Sequence, residues 1–259
     1  MTTRRLQHIF QPDGKAFIVA TEHGMIWGPD QGIEVMERML TKVLAGGVDA
    51  IMASYGTARR FAGLLSGVGL VLRMDGAGTI LGARDGPGAQ FYTVEDALRL
   101  GADALCVSAF PGSPHEEATL KVLARVIREA HAWGLPVMAE IVPGGFGTGP
   151  EFQTLESVSV SARVAAELGA DWVKTTYVEG FEEVVRTCYV PVVVLGGLQK
   201  GDLRSTLSMV RAGMDAGAAG ATIGRNVWKA PDSTRMTAAI AAIIHHDATV
   251  DEALALVEL

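Results

Sequence analysis

One short pattern recurs along the chain: a glycine, an apolar residue, an aspartate, and then an apolar run. It occurs at Gly47-Val48-Asp49, Gly101-Ala102-Asp103 and Gly169-Ala170-Asp171, and Gly217-Ala218-Ala219-Gly220 takes an equivalent place. Each copy joins a segment with helical spacing of apolar residues to a β-type run. A glycine suits the left-handed position that ends a helix. Repeated joints from helix to strand are what a parallel sheet requires.

The apolar runs number eight and alternate with amphipathic segments. Eight strands in 259 residues favour a single (β/α)8 barrel over residues 1–259, because that fold typically needs roughly 250 residues. Two small domains or a doubly wound sheet are the alternatives. No GxGxxG follows the first strand and no GxxxxGK[ST] occurs, which removes the usual dinucleotide and P-loop sites. The predicted strands are 17–20, 48–53, 70–74, 102–107, 136–142, 169–175, 190–197 and 220–226.

Several helix boundaries are also predicted. Ser113, Pro114 and Glu116 fit an N-cap, a first helical residue and a capping-box partner. Thr249 and Glu252 form a second capping box, which opens a terminal helix. The glycine-rich segment 76–90 is long for a loop and is expected to be mobile on the catalytic face. Further helices are predicted over 31–45, 155–168, 236–244 and 253–257.

Composition limits the kinds of binding partner and cellular location that we expect for this protein. No window approaches roughly 18 consecutive apolar residues and no secretory signal follows the start, so we expect no membrane and a cytoplasmic location. Cys106 and Cys188 have no metal-type spacing and fit reduced thiols. A net charge of −7 argues against nucleic acid as a partner, but leaves room for a basic pocket that binds a phosphorylated metabolite.

Lys174 is the main candidate for a catalytic residue. It lies near the carboxyl end of an apolar strand, and catalysis in such barrels takes place at that end. A lysine there either pairs with a carboxylate, extends to solvent, or serves as a desolvated amine that attacks a carbonyl. The last reading predicts a Schiff-base enzyme, which needs no metal or organic cofactor.

The next two strands end on glycines. Gly196-Gly197 and Gly224-Arg225 close predicted strands seven and eight, where barrel enzymes often bind phosphate. Glycine lets backbone N–H groups approach phosphate oxygens, and Arg225 adds a bidentate charge. Ordinary turn glycines beside a surface arginine are the alternative. Lys200 is either a second charge for the phosphate or a solvated loop residue.

Acidic residues occupy other strand ends. Strand alternation turns Glu22, next to His23, towards the barrel interior, and it does the same for Glu140. Glu140, Glu22 and His23 are therefore candidates for proton transfer. Arg73 and Asp75 share a strand face and are expected to form a structural ion pair. His245-His246-Asp247 resembles a metal cluster, but fits a solvated helix end, and no metal site is predicted.

The segments Val173-Lys174-Thr175, Pro191–Gly197 and Gly224–Trp228 together resemble the DhnA-type class I aldolases. Archaeal-type fructose-bisphosphate aldolases, aminodideoxyheptulosonate synthases and autoinducer-2-phosphate thiolase belong to that family. The resemblance extends from Glu22-His23-Gly24 to residues 248–252. It implies a (β/α)8 barrel, a Schiff base on Lys174, substrate phosphate at Gly196, Gly197, Gly224 and Arg225, and a ring-like homo-oligomer.

Three positions depart from the family pattern. Glu22 stands where the family usually has aspartate, Val142 where its aldolases carry a proton-donating tyrosine, and Gly144 where arginine is common. The expectation is therefore a class I aldolase that acts on a phosphorylated ketose or related carbonyl compound, but not standard fructose-bisphosphate cleavage. The alternatives are a thiolase that transfers an acyl group to coenzyme A, and a non-catalytic barrel that binds a phosphosugar.

Overall fold

The computed structural model describes residues 4–76, 78–82, 86, 88–197 and 202–258. Its eight parallel strands close into a barrel, in the order β1-β10-β9-β8-β7-β6-β3-β2, and this confirms the predicted (β/α)8 fold. A two-stranded antiparallel hairpin, β4 and β5, follows β3. The strands are β1 (Ala16–Ala20), β2 (Ala50–Ala53), β3 (Gly69–Arg73), β4 (Asp75–Gly76), β5 (Ala89–Gln90), β6 (Ala104–Ala109), β7 (Val137–Ile141), β8 (Trp172–Thr176), β9 (Val192–Leu195) and β10 (Gly220–Ile223).

Helices surround the barrel and bury their apolar faces against the outer side of its strands. Short 3-10 helices cover Arg4–His8 and Pro150–Phe152. Among the described residues, no helix has the length and apolar character that crossing a membrane requires. The α-helices are α1 (Gly24–Trp27), α2 (Met36–Ala45), α3 (Tyr55–Arg60), α4 (Ala62–Leu65), α5 (Val94–Arg99), α6 (Glu116–His131), α7 (Leu155–Glu167), α8 (Phe181–Thr187), α9 (Leu203–Asp215), α10 (Arg225–Trp228), α11 (Ser233–His246) and α12 (Val250–Glu258).

Helix starts were predicted with mixed success. The capping box is present at Thr249, whose hydroxyl accepts from the amide of Glu252. The prediction for Ser113 was wrong, because α6 begins at Glu116 after His115. The Ser113 hydroxyl instead accepts from the amide of His115, within the preceding turn. Helix α2 begins at Met36, five residues later than its spacing predicted.

The repeated joints hold the amino-terminal end of the barrel together. Gly47, Gly101 and Gly169 all have positive φ, as a left-handed helix end requires. The aspartate two residues later accepts a hydrogen bond from the first residues of a neighbouring strand. These bonds are Phe17 N to Asp49 at 2.6 Å, Leu70 N to Asp103 at 2.9 Å and Val137 N to Asp171 at 2.8 Å.

A histidine also contacts each of these aspartates. His8 lies 2.6 Å from Asp103, His131 lies 2.9 Å from Asp171, and His245 bridges Asp13 and Asp49 at 2.8 and 3.0 Å. His246 and Asp247 are exposed at the end of α11, as a solvated helix end predicts, but His245 is half-buried and paired, so the prediction was wrong for that residue. The neighbouring aspartates raise the pKa of His245, although burial opposes them.

The barrel interior is apolar in its lower part. Ile18, Met52, Met138 and Trp172 are fully buried there. The segment after the first 3-10 helix closes the bottom, where Phe10 packs edge-on against Trp172 with 5.7 Å between ring centroids. The residues two positions after Met138 and Trp172 are Glu140 and Lys174, and these charged side chains belong to the site described next.

Candidate active site

A layer of polar side chains lies inside the barrel at the carboxyl ends of its strands. Strand alternation places these groups two residues above apolar interior neighbours. Lys174 and Glu140 are each 3% exposed, and Arg73 and Glu22 are 6% and 8% exposed. Burying four ionisable groups is costly unless they pair with one another. Their contacts therefore determine what the site can do.

Lys174 pairs with Glu140. The two residues are register partners on the adjacent strands β8 and β7, and Lys174 Nζ donates to Oε1 of Glu140. Of the readings open for a buried lysine, pairing with a carboxylate is the one observed in this structure. The Lys174 amine is therefore in direct contact with the Glu140 carboxylate, a group that can accept its proton.

Arg73 connects the acidic groups of the layer. One guanidinium nitrogen donates to Oε2 of Glu140 and, at 3.2 Å, to Glu22. The other donates to Ser108 at 2.6 Å and to Asp75 at 3.2 Å. The ion pair predicted between Arg73 and Asp75 is thus present, but it is one part of a larger network.

Charge and burial together set the protonation states. Burial alone would raise the pKa of Glu140, but Arg73 and Lys174 hold it well below its usual range. Burial raises the pKa of Asp75, although Arg73 opposes it. At neutral pH the group beside Lys174 is therefore a carboxylate, and one of its oxygens is held by Arg73.

His23 lies above this layer, among aromatic rings. Its imidazole stacks on Trp27 at 5.2 Å and meets Trp228 edge-on at 5.5 Å. Burial lowers the pKa of His23, while Glu22, with an oxygen 3.8 Å from Nδ1, opposes the effect. The ring is thus neutral at physiological pH and can accept or donate a proton.

Three buried polar atoms at this end of the barrel have no hydrogen-bond partner in the described part of the chain. They are Oε2 of Glu22, Nδ1 of His23 and Oδ1 of Asn226. Orphaned buried polar atoms are uncommon, since each costs about 1–3 kcal/mol. Their grouping beside the charged layer indicates a place where a polar ligand would complete the bonds.

The glycines predicted to bind phosphate lie next to this group. Asn226 Nδ2 donates to the carbonyl of Gly196 at 2.7 Å, and Arg225 donates to that of Gly197 at 3.3 Å. Gly224 leaves no room for a side chain, because a Cβ there would lie 2.6 Å from the His23 ring. Lys200 lies outside the described residues.

A cavity of about 350 Å³ opens beside Arg225. Trp27, Asp30, Ile80 and Lys229 line the rest of it. The guanidinium of Arg225 lies 5.1 Å from the Trp27 ring, and Lys229 pairs with Asp30 at 2.7 Å. At the ends of β1 and β10 the cavity therefore presents the Arg225 cation, the Lys229–Asp30 ion pair and an aromatic face.

A larger cavity, of about 580 Å³, lies at the opposite end of the barrel. His8, Asp49 and Asp103 are among its lining residues, and none of the charged layer reaches it. Within the ranges that the structure describes, no group of three or more His, Cys, Asp or Glu side chains could hold a metal ion. The unpaired polar atoms and buried charges favour the carboxyl end as the site.

The site residues were predicted unevenly from sequence. Lys174, Glu140, Glu22 and His23 are brought together at one end, and Gly196, Gly197, Gly224 and Arg225 adjoin them. Sequence reasoning did not place Arg73 or Ser108 in the site. The available signal was an arginine at the inward-facing end of an apolar strand.

Comparison with known proteins identifies the family of this chain. The model of the DeoC/LacD family aldolases matches residues 16–230. The chain is 36% identical to the 2-amino-3,7-dideoxy-D-threo-hept-6-ulosonate synthase of Halobacterium salinarum, covering 98% of this chain and 95% of the relative. It is 33% identical to the 3-hydroxy-5-phosphonooxypentane-2,4-dione thiolase of Shigella flexneri, covering 97% and 96%.

A solved structure extends the likeness to three dimensions. It is an archaeal fructose-1,6-bisphosphate aldolase with its catalytic lysine covalently bound to the carbinolamine intermediate. It superposes with a TM-score of 0.83 at 30% identity, covering 93% of this chain and 98% of the other. The chain therefore belongs to the DeoC/LacD family of aldolases, a family of class I, Schiff-base-forming enzymes that includes relatives named as thiolases.

Proposed function

We propose that this protein is a class I aldolase that makes or breaks a carbon–carbon bond in a phosphorylated ketose or related carbonyl compound. Lys174 is the amine that forms the imine. The observation that carries the proposal is the contact between buried Lys174 and the carboxylate of Glu140 at the carboxyl end of the barrel. An enzyme of this kind needs a buried amine with a base beside it.

The mechanism follows from the contacts of Glu140. Its Oε1 accepts a proton from the Lys174 ammonium, and the neutral amine adds to the substrate carbonyl. Loss of water leaves an iminium, which draws electrons from the bond to be broken. A base takes the proton of the hydroxyl on the carbon at the far end of that bond, the bond breaks, and the aldehyde leaves. The remaining enamine is protonated to an iminium, and water hydrolyses the iminium to release the second product and the free amine. Glu140 is the first candidate for that base.

Glu22 and His23 are the other candidates for proton transfer. Each has a buried atom without a partner, Oε2 and Nδ1 respectively. A substrate hydroxyl between them would complete both bonds. The neutral state of His23 suits it to either direction of transfer.

The substrate phosphate is assigned to the glycine ends of β9 and β10. Gly196, Gly197 and Gly224 allow close approach of backbone N–H groups, and Arg225 supplies charge. The phosphate would lie beside Arg225, whose neighbouring cavity also contains Lys229.

Standard fructose-bisphosphate cleavage is not proposed. Val142 follows β7 directly before Pro143 and offers no hydroxyl for proton donation. The same feature, with the 33% identity to a thiolase, supports a second candidate: acyl transfer to coenzyme A on the same scaffold. We also propose a ring-like homo-oligomer in the cytoplasm, which the mass of the native particle and localisation of a tagged copy would test.

Borohydride trapping tests the proposal. The protein is incubated with dihydroxyacetone phosphate or a related ketose phosphate, reduced, and measured by intact-mass spectrometry. We expect one adduct on the wild type, none on Lys174→Met, and an unchanged adduct on Lys121→Met, whose lysine is exposed and paired with Glu117.

The remaining outcomes separate the alternatives. A product that requires coenzyme A would identify the thiolase. Tight binding of a phosphosugar without any adduct would favour a non-catalytic binding protein and contradict the aldolase. With Glu140→Gln we expect imine formation to slow by about 100-fold or more, as for loss of a general base.

A further inference from the structure

The loops that follow β6 and β7 present an apolar surface next to the charged layer. Three side chains form it, Phe110, Val142 and Phe146, and we call them the apolar wall. Phe146 is 56% exposed although it is a large aromatic residue, while Phe110 is 8% exposed. Their rings meet edge-on at 5.1 Å between centroids.

Strand register places this wall directly above the reacting groups. Ser108 and Glu140 are partners on β6 and β7, and the hydroxyl of Ser108 lies 3.2 Å from Oε2 of Glu140. Phe110 and Val142 each come two residues later, directly after β6 and β7 end, and the amide of Val142 donates to Ala109 O at 3.0 Å. Two residues of strand advance by about 7 Å, close to the length of a short aldehyde.

The loops that carry the wall are fixed by their own contacts. The amide of Gly144 donates to Pro111 O at 2.7 Å, which ties the two loops together. Gly144 has a φ of 73°, and a Cβ there would lie 2.6 Å from the ring of Phe152. Thr148 donates to Gly145 O at 2.9 Å. The wall is therefore preorganised, and Phe146 stays exposed at its edge.

The charge around the wall is unlike that of the phosphate site. Residues 110–115 and 142–154 contain no lysine or arginine, and their ionisable residues are His115 and Glu151. The cavity at the ends of β1 and β10 has Arg225, together with Lys229, which pairs with Asp30. A second phosphate would thus meet phenyl rings where the first meets cations.

We propose that the fragment joined to or released from the Lys174-bound donor is an unphosphorylated aldehyde with an apolar, aromatic-sized substituent, which packs on the apolar wall. In synthesis the enamine carbon attacks the aldehyde carbon, and one carbon–carbon bond forms. The aldehyde oxygen takes a proton, and water hydrolyses the iminium to release the product and the free amine. This inference rests on the proposed function.

The test compares two acceptors of similar length with dihydroxyacetone phosphate as donor: phenylacetaldehyde and glyceraldehyde 3-phosphate. We expect kcat/KM to be at least about tenfold higher for phenylacetaldehyde. Phe146→Ser should lower that value about tenfold and leave the borohydride adduct with the donor unchanged. Phe146→Arg should reverse the preference. The control is Trp133→Ser, which removes an aromatic residue of similar exposure (58%) beyond α6.

A binding experiment keeps the inference separate from the proposed function. Saturation-transfer NMR with 2-phenylethanol, an unreactive analogue, should show contact with the wild type and with Trp133→Ser, and much less with Phe146→Arg. If the donor forms no adduct but this pattern appears, the aldolase fails and the apolar subsite stands. A preference for glyceraldehyde 3-phosphate, or equal binding of 2-phenylethanol by all three proteins, would overturn the subsite.

Discussion

Replacing Arg73 by methionine removes the cation that holds two buried carboxylates, Glu140 and Glu22, and the half-buried carboxylate of Asp75. Arg73 donates to Glu140, Glu22 and Asp75, and to the hydroxyl of Ser108. Breaking a buried ion pair by removing one partner typically costs about 3–5 kcal/mol. In a chain of this size, 1 kcal/mol corresponds to about 2–4 °C in Tm, so we expect a fall of roughly 6–20 °C.

The pH dependence of this loss tests its cause. Without Arg73, the Asp75 carboxyl keeps the burial that already raises its pKa and loses the cation that opposes this effect. A carboxyl group whose pKa is raised in the folded state makes its full contribution to stability below its unfolded pKa of about 4. That contribution is lost as the pH rises through the folded pKa. The difference in Tm between wild type and Arg73→Met should therefore be smaller near pH 4.5 than at pH 8.

The assay is thermal unfolding followed by circular dichroism at fixed scan rate across that pH range. Arg99→Met is the matched control, because Arg99 is exposed and pairs with Asp96; we expect it to cost less than about 1 kcal/mol. Arg73→Met with Glu140→Gln should lose less than the two single variants together. An Arg73→Met variant as stable as the control, or equally unstable at all pH values, would refute this reasoning.

Two further predictions concern other parts of the structure. Gly224→Ala places a Cβ 2.6 Å from the His23 ring and 2.8 Å from Ala20 O. This variant should lose about 1–3 kcal/mol of stability and change the near-ultraviolet circular dichroism of the neighbouring tryptophans. The control Gly56→Ala, in open space within α3, should be neutral or stabilising. His245 lies between Asp13 and Asp49, which raise its pKa. Its contribution to stability is therefore full below about pH 6.5 and is lost as the pH rises through the folded pKa. In urea unfolding, the stability of His245→Gln should depend less on pH above about pH 6.5 than that of the wild type, and an equal dependence would contradict this.

Sequence predicted the barrel well because its strands are short, apolar and separated by the same glycine joint. It also predicted that Lys174 and Glu140 lie at the carboxyl end of the barrel, where the structure places them, since a charge in a run such as 137–142 has few explanations. Arg73 looked like half of a local ion pair because Asp75 is close in sequence. Its partner Glu140 is 67 residues away and becomes adjacent only through strand register, which spacing does not specify.

Local motifs failed where tertiary contacts competed with them. Ser113 has the right residues for a capping box, but the carboxylate of Glu116 instead accepts from the amide of Gly112 at 2.8 Å. His245 resembles a solvated helix end in sequence, but it contacts Asp13 and Asp49, which are distant in the chain. In both cases the deciding partner was not visible in the local pattern.

The closure of the barrel floor has a consequence for synthesis of the protein. Phe10 packs against Trp172, so 162 residues must leave the ribosome before Phe10 meets its partner. At about 5–20 residues per second this takes about 10 to 30 s. The segment around Phe10 is thus made well before its partner, and its apolar side chains stay accessible to chaperones in the nascent chain during that time.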